Sequence, residues 1–175
     1  QHPGTADLQR LFDRLLAGYG PQHWWPAESD FEMIVGAILT QNTAWRNVET
    51  ALNKMKLEQI RSWDAVLEVP VERLAEVIRP SGYFNQKARK IKLFAYFLDR
   101  EFERSTDSLF QVPLPDLRDL LLAQWGIGPE TADDIILYAA KKPVFVIDNY
   151  TRRLTTRLGW EIFPPDYEGH RAMFE

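Results

Sequence analysis

The fold of this chain is decided by one stretch, residues 121–133, which reads LLAQWGIGPETAD. An apolar helical run ends at Gly126, and a second helix begins at Pro129, where the missing amide hydrogen of proline costs nothing. Ile127 stands between two glycines, which allow backbone angles that other residues avoid. The pattern predicts two helices joined by a tight hairpin, although the turn by itself also suits an ordinary connection between helices.

Backbone amides in such a turn are not covered by side chains. The amides of Gly126 and Gly128, together with the positive end of the following helix, form a favourable place for a phosphate group. Further along, Asp148 follows directly after the short apolar run 144–147. An acidic residue there either caps a helix that begins at Asn149 or takes part in chemistry.

The segment 126–158 resembles the helix-hairpin-helix motif and following loop of the endonuclease III superfamily of DNA glycosylases. In that family an invariant aspartate follows the hairpin after a short apolar run, and Asp148 falls on its position. The resemblance therefore implies that Asp148 is catalytic. It also implies that the hairpin contacts DNA, through Gly126, Ile127, Gly128 and Thr131.

Bifunctional members of that superfamily carry a lysine nucleophile early in the second hairpin helix, whereas this chain has Glu130. The difference argues against lyase activity through a Schiff base and favours the monofunctional branch, that of 3-methyladenine DNA glycosylase III. The implied reaction is hydrolysis of the N-glycosidic bond of an alkylated purine, after the nucleotide has flipped out of the duplex. Two other functions stay open, namely a glycosylase/lyase for another damaged base and a non-catalytic DNA-binding module.

Two adjacent tryptophans lie in a predicted loop, because Pro26 restricts Trp25 to an extended backbone. Their rings either fold onto the core or form a stacking wall for a base. The resemblance implies the second role for Trp24, Trp25 and Pro26, and it adds Trp45 to the same base pocket. Glu130 would join this pocket, although an acidic residue suits the first turn of a helix without any function.

The segment 39–45, LTQNTAW, resembles the part of the superfamily that presents a polar side chain to the gap left by a flipped nucleotide. Asn42 falls on that position, with Gln41 beside it, so both are expected to contact DNA. From the residues alone, the segment is a helix end followed by a cap at Thr43.

Composition limits the possible cofactors, and the net charge bears on whether DNA can be the partner. The chain has no cysteine, which excludes the four-cysteine iron–sulfur cluster that many relatives carry. No metal site is expected, and a monovalent cation held by hairpin carbonyls leaves no signature in a sequence. The net charge of −4 is unfavourable for a partner such as double-stranded DNA with a damaged base. Basic clusters at 87–92 and 152–157 offset it, although each also suits a solvated helix face.

No segment suits a membrane span or a signal peptide, so a cytoplasmic, nucleoid-associated monomer without membrane contact is expected. The first residue is Gln1, which indicates a trimmed start. Members of the superfamily continue beyond the point that corresponds to Glu175, so we expect a missing C-terminal segment.

Helical periodicity dominates the chain and strand signals are almost absent, which predicts an all-α fold. The resemblance implies two helical lobes with a central cleft, and a hairpin followed by the loop that bears the catalytic aspartate. The lobes would comprise residues 27–130, and residues 1–26 with 131–175. The segment 104–112 is predicted to be a polar loop.

Overall fold

A computed structural model describes residues 3–175, and this part of the chain contains eleven α-helices and no β-strand. The expected all-α fold is therefore confirmed. A 3₁₀ turn at Arg79–Ser81 and a π-helical turn at Ile135–Ala139 complete the helical structure. No helix within residues 3–175 combines the length and the apolar character needed to cross a membrane. The helices are α1 (Thr5–Tyr19), α2 (Asp30–Leu39), α3 (Trp45–Leu57), α4 (Trp63–Glu68), α5 (Val71–Val77), α6 (Phe84–Phe102), α7 (Thr106–Gln111), α8 (Leu114–Leu122), α9 (Pro129–Asp134), α10 (Asn149–Arg157) and α11 (Tyr167–Phe174).

The described chain divides into two compact units. One unit runs from Ala27 to Lys142, and the other joins the residues up to Pro26 to the segment Pro143–Glu175. The sequence placed this boundary after residue 130, which lies within α9. In the structure α9 and the π-helical turn stay in the first of these units, because the π-helical turn packs against both α2 and α8.

Helix α2 is the buried centre of the unit 27–142. Every residue from Met33 to Leu39 is buried, and the helix packs against α3, α6, α9 and the π-helical turn. Its start is defined by Ser29, whose hydroxyl oxygen accepts a hydrogen bond of 3.2 Å from the Glu32 amide. A helix that is apolar on all sides can be stable only when other helices surround it.

The prediction of a polar loop at 104–112 is wrong, because residues Thr106–Gln111 form α7. The hydroxyl of Ser105 caps this helix by accepting a hydrogen bond of 3.1 Å from the Ser108 amide. Leu109 is fully buried, and α7 packs against α6. The buried leucine and the cap stabilise this short helix, in which only Leu109 and Phe110 are apolar.

In the second unit, α11 holds the apolar run that leads to Asp148. The rings of Phe145 and Phe174 are stacked, with centroids 4.2 Å apart. The amide of Ile147 donates a hydrogen bond of 3.3 Å to the hydroxyl of Tyr167. Asp148 therefore begins α10 from a connection that is fixed on its N-terminal side.

Candidate active site

The predicted hairpin is present, and its turn requires glycine at one position only. Gly126 has a φ of +82°, and a Cβ atom at this position would lie 2.4 Å from the Cε atom of Lys90. Gly128 has an extended backbone with φ of −92°, and an added Cβ would meet open space. Gly126 thus serves the conformation of the turn, whereas Gly128 keeps the backbone uncovered just before α9.

Gln41 is bound to this hairpin through its side chain. Its amide nitrogen donates one hydrogen bond of 3.1 Å to the Gly126 carbonyl and another of 2.9 Å to the Thr131 hydroxyl. The ammonium group of Lys90 donates a hydrogen bond to the amide oxygen of Gln41. Gln41 thus directs both its donor and its acceptor groups into the protein, and Thr131 is buried beside it.

Asn42, the next residue, differs from Gln41 in its exposure to solvent. It is exposed, and its φ of +53° places it in the left-handed region that asparagine tolerates better than most residues. The sequence led us to expect DNA contact from both residues, with Asn42 at the gap and Gln41 beside it. The structure separates them into one side chain held inside the protein and one exposed side chain at the end of α2.

A buried lysine sets the position at which α2 ends. Lys87 is 2% exposed, and its ammonium group donates hydrogen bonds to the carbonyls of Leu39, at 2.8 Å, and Ser81, at 2.6 Å. Burial, together with the nearby charge of Lys90, lowers the pKa of Lys87 to about 8. Since Gln41 follows Leu39 by two residues, Lys87 positions the segment that reaches the hairpin.

An ion pair joins the two helices of the hairpin from within. The guanidinium of Arg118 on α8 donates to both carboxylate oxygens of Asp133 on α9, at 2.8 and 3.2 Å. Asp133 is fully buried and Arg118 nearly so. A two-point contact of this kind restrains orientation as well as distance. The sequence pattern did not predict the pairing of Arg118 with Asp133 or of Lys90 with Gln41, because the partners lie many residues apart.

The remaining hairpin residues differ in exposure. Ile127 is 5% exposed, and its amide donates a hydrogen bond of 3.1 Å to the Gln124 carbonyl, so its side chain anchors the turn in the core. Glu130 is exposed in the first turn of α9, where a negative charge interacts favourably with the helix dipole.

Asp148 is the N-cap of α10, as one of the two interpretations predicts. One carboxylate oxygen, Oδ1, accepts hydrogen bonds from the amide of Thr151, at 2.7 Å, and from its hydroxyl, at 2.8 Å. Within residues 3–175 no hydrogen bond reaches the other oxygen, Oδ2. The cap therefore fixes the carboxylate while leaving one oxygen for another partner.

The aromatic candidates lie in both units. Trp24 and Trp25 belong to a loop, as predicted, and their ring centroids are 5.7 Å apart with planes inclined by 51°. Trp24 is 48% exposed and Trp25 is half-buried, while Pro26 is exposed. Trp45 is the first residue of α3, in the unit 27–142, and is half-buried.

The side chains of residues 3–175 bring together no set of donors for an iron–sulfur cluster or for a metal bound by histidine or carboxylate groups. The sequence has no cysteine, so a cysteine-bound cluster cannot form in this chain. Among residues 3–175, histidine, aspartate and glutamate form no group of three that could hold a metal ion.

Comparison with known proteins agrees with this geometry. Residues 35–172 match the family model of the HhH-GPD superfamily base excision DNA repair proteins. A protein of Methanocaldococcus jannaschii, provisionally named a DNA repair glycosylase, is 40% identical over 96% of this chain and 77% of its own length. Endonuclease III of Sulfolobus acidocaldarius is 31% identical over 83% of this chain and 63% of its own length.

The crystal structure of Helicobacter pylori 3-methyladenine DNA glycosylase, bound to 1,N6-ethenoadenine, has the same fold. It superposes with a TM-score of 0.83 and 34% identity, over 95% of this chain and 78% of the other. Family match, relatives and fold agree with the hairpin and the capping aspartate that follows it. The chain therefore belongs to the HhH-GPD superfamily of base excision DNA repair proteins, as a DNA glycosylase of the endonuclease III type.

Proposed function

We propose that this protein is a monofunctional DNA glycosylase that hydrolyses the N-glycosidic bond of alkylated purines such as 3-methyladenine. The observation that carries the proposal is the carboxylate of Asp148. It is held by Thr151 through Oδ1 alone, directly after the hairpin, in a family that acts on DNA bases.

Asp148 would act on the sugar and on water. A purine alkylated at N3 or N7 is cationic, so it leaves as a neutral base when the bond to C1′ breaks and the electron pair passes to the base. The sugar then develops positive charge, which an ionised carboxylate stabilises. Oδ2 can accept a proton from the water that attacks C1′, a contribution of about 10²–10⁴-fold in rate. The proton then passes to solvent.

The aromatic side chains would recognise the flipped base. Stacking on an aromatic side chain contributes about 1–3 kcal/mol per base, which helps to offset the few kcal/mol lost on unstacking. A cationic base over an indole gains roughly 0.5–2 kcal/mol more, which a normal base does not. We assign this role to Trp24 and Trp25, with Pro26, and to Trp45. Glu130 would add attraction for the same cation.

Absence of lyase activity follows from the residues of α9. A lyase of this superfamily attacks the sugar with a lysine early in the second hairpin helix, where this chain has Glu130. Helix α9, Pro129–Asp134, contains no lysine at all. A carboxylate cannot form a Schiff base, so we expect hydrolysis without strand cleavage.

We propose that neighbouring residues have different roles in DNA binding. Asn42 would enter the gap left by the flipped nucleotide, because it is exposed at the end of α2. The backbone of Gly126, Ile127 and Gly128 would hold a phosphate. Gln41 and Thr131 would keep that backbone in place. The H. pylori enzyme, which is 34% identical and described with a bound ethenoadenine, supports a purine-adduct pocket in this fold.

The test is release of modified bases from methylated duplex DNA, measured by mass spectrometry for the wild type and for Asp148→Asn. We expect the wild type to release 3-methyladenine, and the variant to bind an abasic-site duplex normally but release no base. Treatment with borohydride should trap no covalent adduct. A trapped adduct would contradict the assignment of Glu130, and undiminished release by the variant would contradict that of Asp148.

A further inference from the structure

We propose that Arg89 and Trp125 form a second contact site for the DNA backbone beside the hairpin turn. In this site the indole of Trp125 orients the Arg89 guanidinium towards a phosphate group. The proposal rests on the proposed binding of DNA by the hairpin, and it concerns residues that neither the family match nor the motifs assign.

The two side chains form a defined pair at the surface. Trp125 immediately precedes Gly126 of the turn and is 49% exposed. The central carbon of the Arg89 guanidinium lies 4.7 Å from the centroid of its ring. The Arg89 guanidinium thus covers part of one face of this half-exposed indole, where the ring attracts a cation.

The charge of Arg89 is not neutralised by the protein. Arg89 is exposed, and within residues 3–175 it takes part in no ion pair. Other arginines of the same unit do pair with carboxylates, namely Arg73, Arg100, Arg104 and Arg118. In a chain of net charge −4, an unpaired arginine beside the hairpin is a candidate for contact with an anion.

Stacking makes this arginine suitable for a phosphate. A guanidinium that lies over an aromatic ring keeps its N–H donors at the edge, where a phosphate can accept two of them. The indole also restricts the side chain, so less conformational entropy is lost on binding. Because Arg89 covers one face of the indole, a base cannot stack on that face. The arrangement therefore favours the sugar-phosphate backbone over a base as the partner.

The pair is continuous with the hairpin. Lys90, the residue after Arg89, packs on Gly126, the residue after Trp125, and donates a hydrogen bond to Gln41. Gln41 in turn donates to the carbonyl of Gly126. Helix α6 and the turn are thus connected at two neighbouring points. A strand whose phosphate is held by the turn would have its adjacent backbone near Arg89.

The experiment measures binding of a short duplex with a tetrahydrofuran abasic-site analogue, by fluorescence anisotropy at several salt concentrations. The variants are Arg89→Gln, Trp125→Ala, Trp125→Phe and the double variant Arg89→Gln/Trp125→Ala. Arg79→Gln is the matched control, because Arg79 also lies over an aromatic ring, Phe84, at 5.8 Å. Circular dichroism establishes that each variant is folded.

Loss of one phosphate contact should make the slope of log affinity against log salt shallower by about 0.9 for Arg89→Gln. The deficit of this variant should accordingly shrink roughly threefold between about 50 and 200 mM salt. Trp125→Ala should weaken binding about two- to fivefold, and Trp125→Phe should retain most of the affinity. The double variant should bind no more weakly than Arg89→Gln alone.

Two results would overturn the proposal. An equal change of slope for Arg79→Gln would mean that only overall charge matters. Full additivity of the Arg89 and Trp125 losses would mean that the pair does not act as a unit. The rate of base release at saturating protein separates this proposal from the preceding one. A wild type that binds with the expected slopes but releases no alkylated base would support this site and contradict the alkylpurine assignment.

Discussion

The side-chain amide of Gln41 donates a hydrogen bond of 3.1 Å to the carbonyl oxygen of Gly126, across 85 positions of sequence. This bond joins the end of α2 to the turn of the hairpin. Gln41 therefore supports the turn for which we propose DNA binding, whereas the adjacent Asn42 is exposed.

Replacement of Gln41 by leucine should loosen the hairpin. The side-chain volume is retained, but the Gly126 carbonyl and the Lys90 ammonium each lose a partner, at a cost of about 1–3 kcal/mol. We expect a lower unfolding free energy and faster hydrogen exchange of the hairpin amides. Asn42→Gly is the control, because glycine accepts the positive φ of this position and removes only the exposed side chain. If the two variants lost equal stability, the supporting role of Gln41 would be excluded.

The two glycines of the turn should respond differently to alanine. Gly126→Ala forces a side chain into the left-handed region and against Lys90, which should cost at least about 1–2 kcal/mol of stability. Gly128→Ala meets open space at an ordinary backbone conformation, so its stability should be unchanged within about 0.5 kcal/mol.

Affinity for DNA is the second quantity to measure for these two glycine variants, after stability. If the Gly128 backbone approaches a phosphate, a methyl group there should weaken affinity for an abasic-site duplex without any loss of stability. Unaltered affinity for Gly128→Ala would argue that the phosphate lies elsewhere.

Asp148 has a structural role as the cap of α10, which can be separated from the catalytic role that we propose for it. Asparagine is as good an N-cap as aspartate, so Asp148→Asn should unfold at nearly the same free energy as the wild type. Asp148→Ala loses the cap on α10 and should be less stable by about 0.5–2 kcal/mol. Urea unfolding of the three proteins measures this. A large loss of stability in the asparagine variant would make its lack of activity uninformative about charge.

Lys87 should make stability depend on alkaline pH. The pKa of Lys87 is about 8 in the folded protein, whereas the ordinary value for lysine is 10.5. Between pH 8 and 10.5 the unfolded chain therefore binds more protons than the folded protein. The free energy of unfolding should therefore rise with pH from about 8 to 10.5, with a slope of at most about 1.4 kcal/mol per unit. Below pH 8 this group should contribute no slope.

Two measurements check the lysine prediction. The slope should be absent from Lys87→Met, when its unfolding is compared with that of the wild type at each pH. In lysine-labelled protein, one ammonium resonance should titrate near pH 8, well below the ordinary lysine value of 10.5. Titration of every lysine together at high pH would contradict the burial of Lys87.

Local patterns in the sequence predicted several elements of this structure. The two glycines around Ile127 with Pro129 predicted the hairpin, because turn geometry depends on neighbouring residues. The acidic residue after the apolar run 144–147 predicted the cap of α10 as one of two interpretations. Short polar segments were harder to interpret, and 104–112 was taken for a loop because a single buried Leu109 leaves no periodicity.

Only the tertiary structure decided which residues support the hairpin and which are exposed. Gln41 and Asn42 are adjacent and chemically alike, yet one is bonded to Gly126 and the other faces outward. The pairs Arg118 with Asp133 and Arg89 with Trp125 join different helices. Such contacts arise only when helices pack, since the pairing of distant side chains depends on the crossing and rotation of whole helices. Periodicity along the chain records which face is buried, but not what that face meets.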